Sequence, residues 1–391
     1  MTIEERKNIL GKIFSPTAPI KEKDFFYGRI DQINQIVEAI NQIGQHGIIY
    51  GERGVGKTSL ANIISKSITN LHPAKITCNK QDTFKTIWVR ALNKIQYSTT
   101  TQGIGFVPEV QSKIVTLADN ISGKDKITIS DIEGVISNFP SVTFLFVFDE
   151  FDNITKNIIR SEMSDLIKSL SDNLHNITVV IVGIADNVEN LIGNHQSLER
   201  CLMQVQMPRM SEDELKGIIR NGISKLEMEI KKEVTSKIVS FSSGFPHYTH
   251  LLAKYSAQNA LNRNSTDIKY EDLEKAIIQS VQNTNEQLRT SFRNAIMSSS
   301  VESQWKDVLY ACAIADNDEF NCFSTNDILT KFNIITGKNS KRENIKYNLA
   351  KFCKEERGNI LEKIGEGRNF KYKFTNPMMK PFIKLNMNDD K

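Results

Sequence analysis

Cysteine is scarce and scattered in this chain. Five residues, Cys78, Cys201, Cys312, Cys322 and Cys353, are spread over 391 positions with no C-x-x-C pair among them. That excludes a zinc ribbon or a disulfide framework and reads as reduced thiols in a cytoplasmic protein. Long apolar runs are missing too: no stretch reaches the roughly 18 residues that a membrane span needs. The opening Met-Thr-Ile-Glu-Glu-Arg-Lys offers no apolar core for a secretory signal, so no membrane is expected among the partners. There is no internal repeat and no low-complexity tract. Net charge is only +4, which by itself says nothing about nucleic acid. With 39% hydrophobic and 25% charged residues, what remains is a soluble globular chain, long enough for two or three domains.

What is present is more specific. The apolar run Ile48-Ile49-Tyr50 leads into Gly51-Glu52-Arg53-Gly54-Val55-Gly56-Lys57-Thr58, followed by Ser59, at the spacing G-x-x-x-x-G-K-[ST] of a phosphate-binding P-loop. The glycines let the backbone curl so that its N–H groups face a phosphate chain. Lys57 then reaches the terminal phosphates, and the Thr58 hydroxyl can hold Mg2+. A helix starting near Thr58 adds its positive N-terminal end to the same anion site. Phe144-Leu145-Phe146-Val147-Phe148 supplies the partner motif, a buried-strand run that ends in Asp149-Glu150. Asp149-Glu150 resembles the Walker B end of the AAA+ ATPases of the origin-recognition and initiator clade, which implies Asp149 as the magnesium residue and Glu150 as the general base. Arg53, in the variable part of the loop, more readily faces solvent or pairs with an acid than touches phosphate.

Short β-branched and aromatic runs (Gly47–Tyr50, Lys75–Cys78, Phe144–Phe148, Thr178–Val182, Met203–Met207) alternate with helical spacing at 31–43, 58–69, 83–95, 129–137 and 154–174. This pattern predicts an α/β P-loop fold with a mostly parallel sheet over 25–210, and ligands at the carboxyl ends of its strands. Residues 1–24 read as an arm in which Pro16 and Pro19 prevent a continuous helix, and 97–123 as an irregular, mobile insertion. From Ser211, where Ser211 and Glu214 form a capping box, the texture is helical only, an all-α lid over 211–283. A linker or connecting helix at 284–302 follows. Three helices (303–315, 324–332, 341–354) and a hairpin of 360–364 with 370–374 then have the order of a winged helix over 303–384, with a tail at 385–391.

A P-loop sheet, a helical lid and a winged helix in this order resemble the AAA+ ATPases of the origin-recognition and initiator clade. Phe26-Tyr27-Gly28-Arg29 resembles that clade's F-x-G-R box beside the adenine, which places Gly28 and Arg29 among the nucleotide-binding residues. The resemblance favours ATP with Mg2+, and implies sensor 1 at Gly183–Asn187, where Asn187 positions the attacking water. It also implies an arginine finger at Arg200, acting on a neighbouring subunit's nucleotide in a homo-oligomer or hetero-assembly. Arg200 can equally be a surface ion-pair residue, and Arg209 is a rival finger. Where the clade has a sensor 2 arginine, Gly244-Phe245-Pro246-His247 is more similar to the G-x-P motif of STAND-type signalling ATPases, with His247 the candidate nucleotide contact.

Charge is distributed unevenly. Between Lys338 and Lys384 there are thirteen Lys/Arg against five Glu, a local excess of eight, so the remainder carries about −4. If 341–354 is a recognition helix, Lys341, Arg342 and Lys346 face a major groove, with Arg368 at the wing tip and Lys371 along the wing strand for phosphates. Double-stranded DNA is therefore one expected partner. A protein-facing winged helix in a regulatory or defence ATPase is the other reading, and a transposition or plasmid-maintenance helper differs from the first only in partner.

Overall fold

The computed structural model describes residues 1–16, 18–20, 26–67, 71–102, 110–185, 188–193, 198, 200–283, 286–297, 304–318, 321–365 and 370–388. The chain divides into two compact units, Ala18–Arg209 and Met1–Thr17 with Met210–Lys391. Helix α1 (Ile3–Ile13), in the second unit, is followed by the α/β unit: α2 (Ile30–Asn41), β1 (His46–Gly51), α3 (Lys57–Ser67), β2 (Leu71–Thr77), α4 (Phe84–Leu92), β3 (Gln96–Gln102), β4 (Val110–Thr116), α5 (Ile129–Ser137), β5 (Thr143–Asp149), α6 (Asn157–Asn173), β6 (Ile177–Ile184), α7 (Glu189–Ile192) and β7 (Leu202–Gln206).

Five strands form one parallel sheet in the order β2-β5-β6-β1-β7. The central strands read as unbroken apolar runs because both faces are covered: six of the seven residues of β5 are buried. Trp88 of α4 packs on Phe146 and Phe148 at ring-centroid distances of 5.2 and 5.0 Å, so these aromatics are core. Register pairs Gly51 with Ile184 and Thr77 with Asp149. The glycine loop and the acidic end of β5 therefore emerge at one edge of the sheet.

Two expectations for this unit need correction. Residues 97–123 are not irregular, since β3 and β4 pair antiparallel in register from Gln96–Thr116 to Gln102–Val110. The Thr-rich sequence of β3 lacks the apolar alternation of a half-buried strand, and the ribbon is a two-stranded sheet separate from the main one. Strand β2 also begins at Leu71, earlier than expected. Pro73, which has no N–H to donate, is tolerated there because β2 is an edge strand.

The second unit continues with α8 (Glu212–Lys225), β8 (Glu229–Ile230), α9 (Lys232–Ser242), α10 (Pro246–Asn262), β9 (Asp267–Ile268) and α11 (Tyr270–Gln282), then α12 (Glu286–Ile296), α13 (Trp305–Ile314), α14 (Thr325–Thr336), α15 (Arg342–Phe352), β10 (Leu361–Ile364), β11 (Lys371–Phe374) and α16 (Met379–Asn388). The Ser211–Glu214 capping box starts α8 as expected. Strands β10 and β11 pair antiparallel, and Phe323, between α13 and α14, bridges to Tyr372.

Three segments expected to be peripheral are packed instead. The N-terminal arm contains α1, whose Arg6 Nε donates to the Leu226 carbonyl at 2.7 Å. Helix α12 answers to the connecting-helix reading of 284–302: Leu288, Phe292 and Ala295, spaced at helical intervals in a polar stretch, enter the core of the C-terminal module. Helix α16 runs into the expected tail and buries Phe382, Ile383 and Met387. Pro381 falls in its first turn, where a missing N–H breaks no helical bond. α16 also lies against α9 and α11, and Tyr248 Oη donates to the Met378 carbonyl at 3.2 Å.

Phe14, fully buried, sits over Gly222 of α8 and meets His250 edge-on at 5.9 Å. A methyl at Gly222 would lie 2.6 Å from Phe14 Cε1. Replacing a mid-helix glycine with alanine ordinarily gains about 0.5–1 kcal/mol, but displacing a packed ring costs about 1–3 kcal/mol. Gly222→Ala should therefore lower stability, and the added change Phe14→Leu should recover part of the loss; thermal denaturation of the three variants checks both signs.

Candidate functional site

The P-loop geometry follows from its glycines. Gly51, Gly54 and Gly56 have φ of 146°, 85° and 101°, and a side chain on Gly51 would overlap the Met207 carbonyl oxygen. Lys57, only 8% exposed, opens α3. Its ammonium group donates to the carbonyls of Gly51 (2.9 Å) and Glu52 (2.7 Å). Burial pulls its pKa down to about 8, opposed by the carboxylates of Asp152, Asp149 and Glu52.

Asp149 is the hub of the site. Its Oδ1 accepts from Thr58 Oγ1 at 3.2 Å and from the Glu150 amide at 3.0 Å, while Oδ2 faces Lys75 Nζ at 2.8 Å. Thr58 and Asp149 thus form the hydroxyl–carboxylate pair of hard oxygens that suits Mg2+ alongside phosphates and water. Glu150 is exposed, in left-handed backbone at φ 55°. Its Oε2 accepts from Asn153 Nδ2 at 3.2 Å, and the same nitrogen reaches the Cys78 carbonyl at 3.1 Å. Asp152 Oδ1 accepts from the amide of Ile184, at the end of β6.

The remaining expected residues are placed as follows. Gly28 (φ 77°) and Arg29 (φ 62°) lead into α2. The buried Arg29 guanidinium donates through Nη2 to the carbonyls of Val55 (3.1 Å) and Pro208 (2.5 Å), bracing the loop from behind. Ser59 Oγ accepts from the Ile20 amide at 3.1 Å. Arg53 is exposed. Arg200, with its side chain 68% exposed, pairs with Asp172 at 2.6 Å. Asn187 and Arg368 lie outside the described residues.

In the other unit, the Pro16 carbonyl lies 2.7 Å from His247 Nδ1. A carbonyl can only accept, so Nδ1 carries the proton. Burial keeps this imidazole pKa below its ordinary value, which makes His247 a neutral group at pH 7. Arg342 and Lys346 lie exposed on α15, the latter 4.0 Å from Glu343, and the exposed Lys341 is the residue that precedes the helix. Lys371 is paired with Asp318 at 2.8 Å.

Four contacts were not legible in the sequence: Lys75 on Asp149, Asn153 on Glu150, Asp152 on the β6 end, and Arg209 on Glu52. Three of them join residues brought together only by the sheet, while Asn153 reaches Glu150 across a local turn. Asn79-Lys80-Gln81-Asp82 also fits the letter of the guanine-reading N-K-x-D motif. Asp82, however, accepts from the Asn79 amide, Thr86 Oγ1 and Arg90 Nη2, so its carboxylate holds a turn and is not presented to a base.

A parallel sheet of this order, with a P-loop after β1 and an Asp-Glu end on β5, defines a P-loop NTPase. The chain belongs to the novel STAND NTPase 1 family, whose model matches residues 19–301. It is 23% identical over 234 residues to the Holliday junction branch migration complex subunit RuvB of Mycoplasmopsis pulmonis, over 60% of this chain and 62% of the relative's length. Among solved structures it is similar to the Walker-type ATPase PABY2304 of Pyrococcus abyssi (TM-score 0.53, 12% identity, covering 95% of this chain and 99% of that one). The Aeropyrum pernix ORC1 protein, solved in complex with DNA, overlays at a TM-score of 0.47 with 11% identity, over 97% and 96% of the two chains. Among the described residues no helix is long and apolar enough to cross a membrane.

The lowered Lys57 pKa sets a pH dependence. A triphosphate requires the cationic form, so affinity should hold up to neutral pH and fall as pH rises through about 8. From pH 7 to pH 9 the protonated fraction drops about tenfold. Titration with a fluorescent ATP analogue should show a comparable weakening; a flat profile would mean that Lys57 is not the titrating group.

Proposed function

We propose that this ATPase is a slowly hydrolysing switch that couples ATP to self-assembly and to DNA through its C-terminal module. The observation that carries the chemistry is the convergence of Lys57, Thr58, Asp149 and Glu150 at one end of the sheet. ATP binds the loop 51–59, with Mg2+ held by Thr58 and Asp149 and with Lys57 moved from the loop carbonyls onto the terminal phosphates. Glu150, released from Asn153, takes the proton of the attacking water as the oxygen–phosphorus bond forms and ADP leaves. Positioning and charge neutralisation account for most of such a reaction. Asn187 orients the water, Gly28 and Arg29 support the adenine end, and His247 reports on the nucleotide as a neutral group. Arg200 leaves Asp172 to complete the site of a neighbouring subunit.

In this reading 25–210 is the ATPase core, 211–283 the lid and 303–384 a winged helix, all in the cytoplasm. The exposed cations Arg342 and Lys346 on α15 and Lys341 just before it, with Arg368 and Lys371 on the wing, support double-stranded DNA as the partner, and the RuvB relative acts in branch migration. A second reading, a STAND-like regulator whose winged helix holds a protein, draws on the family itself and on Gly244-Phe245-Pro246.

Lys57→Ala should abolish nucleotide binding. Glu150→Gln should keep ATP bound while hydrolysis drops by about a hundredfold or more; hydrolysis at the wild-type rate would place the base elsewhere. DNA binding, measured by fluorescence anisotropy with and without ATP-Mg2+ at two salt concentrations, should be ATP-dependent and salt-sensitive. The triple variant Lys341→Ala/Arg342→Ala/Lys346→Ala should lose up to about three units of salt slope. Absence of binding in every nucleotide state would leave the protein-partner reading.

A further inference from the structure

Arg209 follows the last strand of the α/β unit, and its side chain is turned back onto the P-loop of its own chain. Nε donates to Glu52 Oε2 at 2.7 Å and Nη2 to Glu52 Oε1 at 3.2 Å, a two-pronged fork. The two side chains are only 13% and 11% exposed. Neighbouring residues of the same segment grip the loop as well. The Met207 amide donates to the Tyr50 carbonyl at 2.7 Å, and the Pro208 carbonyl receives Arg29, which also holds Val55. Residues 207–209 thus line the outside of the loop from Tyr50 to Val55.

Glu52 is an awkward residue in that place. The loop amides serve to gather a polyanion, and a shielded carboxylate two positions before Gly54 opposes it. The Glu52 backbone carbonyl also accepts from Lys57, so a shift of this residue moves the anchor of the phosphate lysine.

We propose that Arg209 is a positioning residue that acts within its own subunit. It cancels the Glu52 carboxylate and fixes the outer half of the P-loop in the shape that receives the triphosphate. The proposal rests on ATP binding at this loop. It assigns Arg209 a role in cis, distinct from the finger role in trans for which its place after the last strand also makes it a candidate.

The test is steady-state ATP hydrolysis together with equilibrium binding of a fluorescent ATP analogue. Arg209→Ala should raise KM and Kd about tenfold, with kcat within about threefold of wild type. Glu52→Gln/Arg209→Ala should recover most of that loss, because the uncancelled carboxylate is gone. Arg209→Lys, which retains the charge but loses the fork, should show a smaller rise in KM, and it keeps the proposal testable should the alanine variant misfold. A double variant no better than Arg209→Ala would overturn the cis role. So would a large fall in kcat at unchanged KM that is rescued by mixing with Lys57→Ala subunits, which supply an intact Arg209 in trans. If the wild-type chain itself fails to bind the analogue, the ATP reading is what fails; loss of the cis role alone leaves wild-type binding intact.

Discussion

The organising constraint of the α/β unit is a buried ammonium group. Lys57 must remain largely shielded from water to be effective against phosphate, yet an isolated cation there would be strongly disfavoured. The fold answers with acceptors at every side of it: two loop carbonyls, with the carboxylates of Asp149, Asp152 and Glu52 near by. Each acceptor then needs its own support. Asp149 is held by Thr58, Lys75 and the Glu150 amide, Asp152 by the end of β6, and Glu52 by Arg209. The polar network at the sheet edge is therefore one interdependent set, in which removing one member leaves a charge uncompensated elsewhere.

Parallel topology is what allows the set to assemble. Gly51, Asp149, Ile184 and the residues after β7 are far apart in sequence, but each ends a strand of the same sheet. This is why some of the site was legible in the sequence and some was not. The loop 51–58 and the Asp149-Glu150 end are local patterns whose chemistry is fixed by spacing. Lys75 and Arg209 carry no local signature, since an ordinary Lys in an edge strand and an Arg after a Pro become partners only when the register is known.

The same distinction explains the elements. Apolar runs such as 144–148 and the Ser211 capping box were read correctly because burial and capping leave local marks. The ribbon of β3 and β4 was missed because β3 is Thr-rich and neither strand joins the main sheet. Helix α16 was missed, and α12 was legible only as one of two readings of 284–302, because their apolar residues are few and sit among polar ones or beside a proline. In each case packing against distant residues, and not local propensity, makes the element.

Those two helices change the mechanical picture of the C-terminal half. Had 284–302 been a free linker and 385–391 a tail, the basic face of α15 would be tethered and able to act independently of α8–α11. Instead α12 contributes Phe292 to the core of the C-terminal module, α16 packs on Phe292 (5.4 Å, edge-on) and also lies against α9 and α11. Close-packed interiors transmit displacement because they have little free volume to absorb it. Helices α9, α11 and α16 and the core that holds α15 therefore form one continuously packed set. The burial of α1 on the same unit, through Phe14 and Arg6, adds a third packed element.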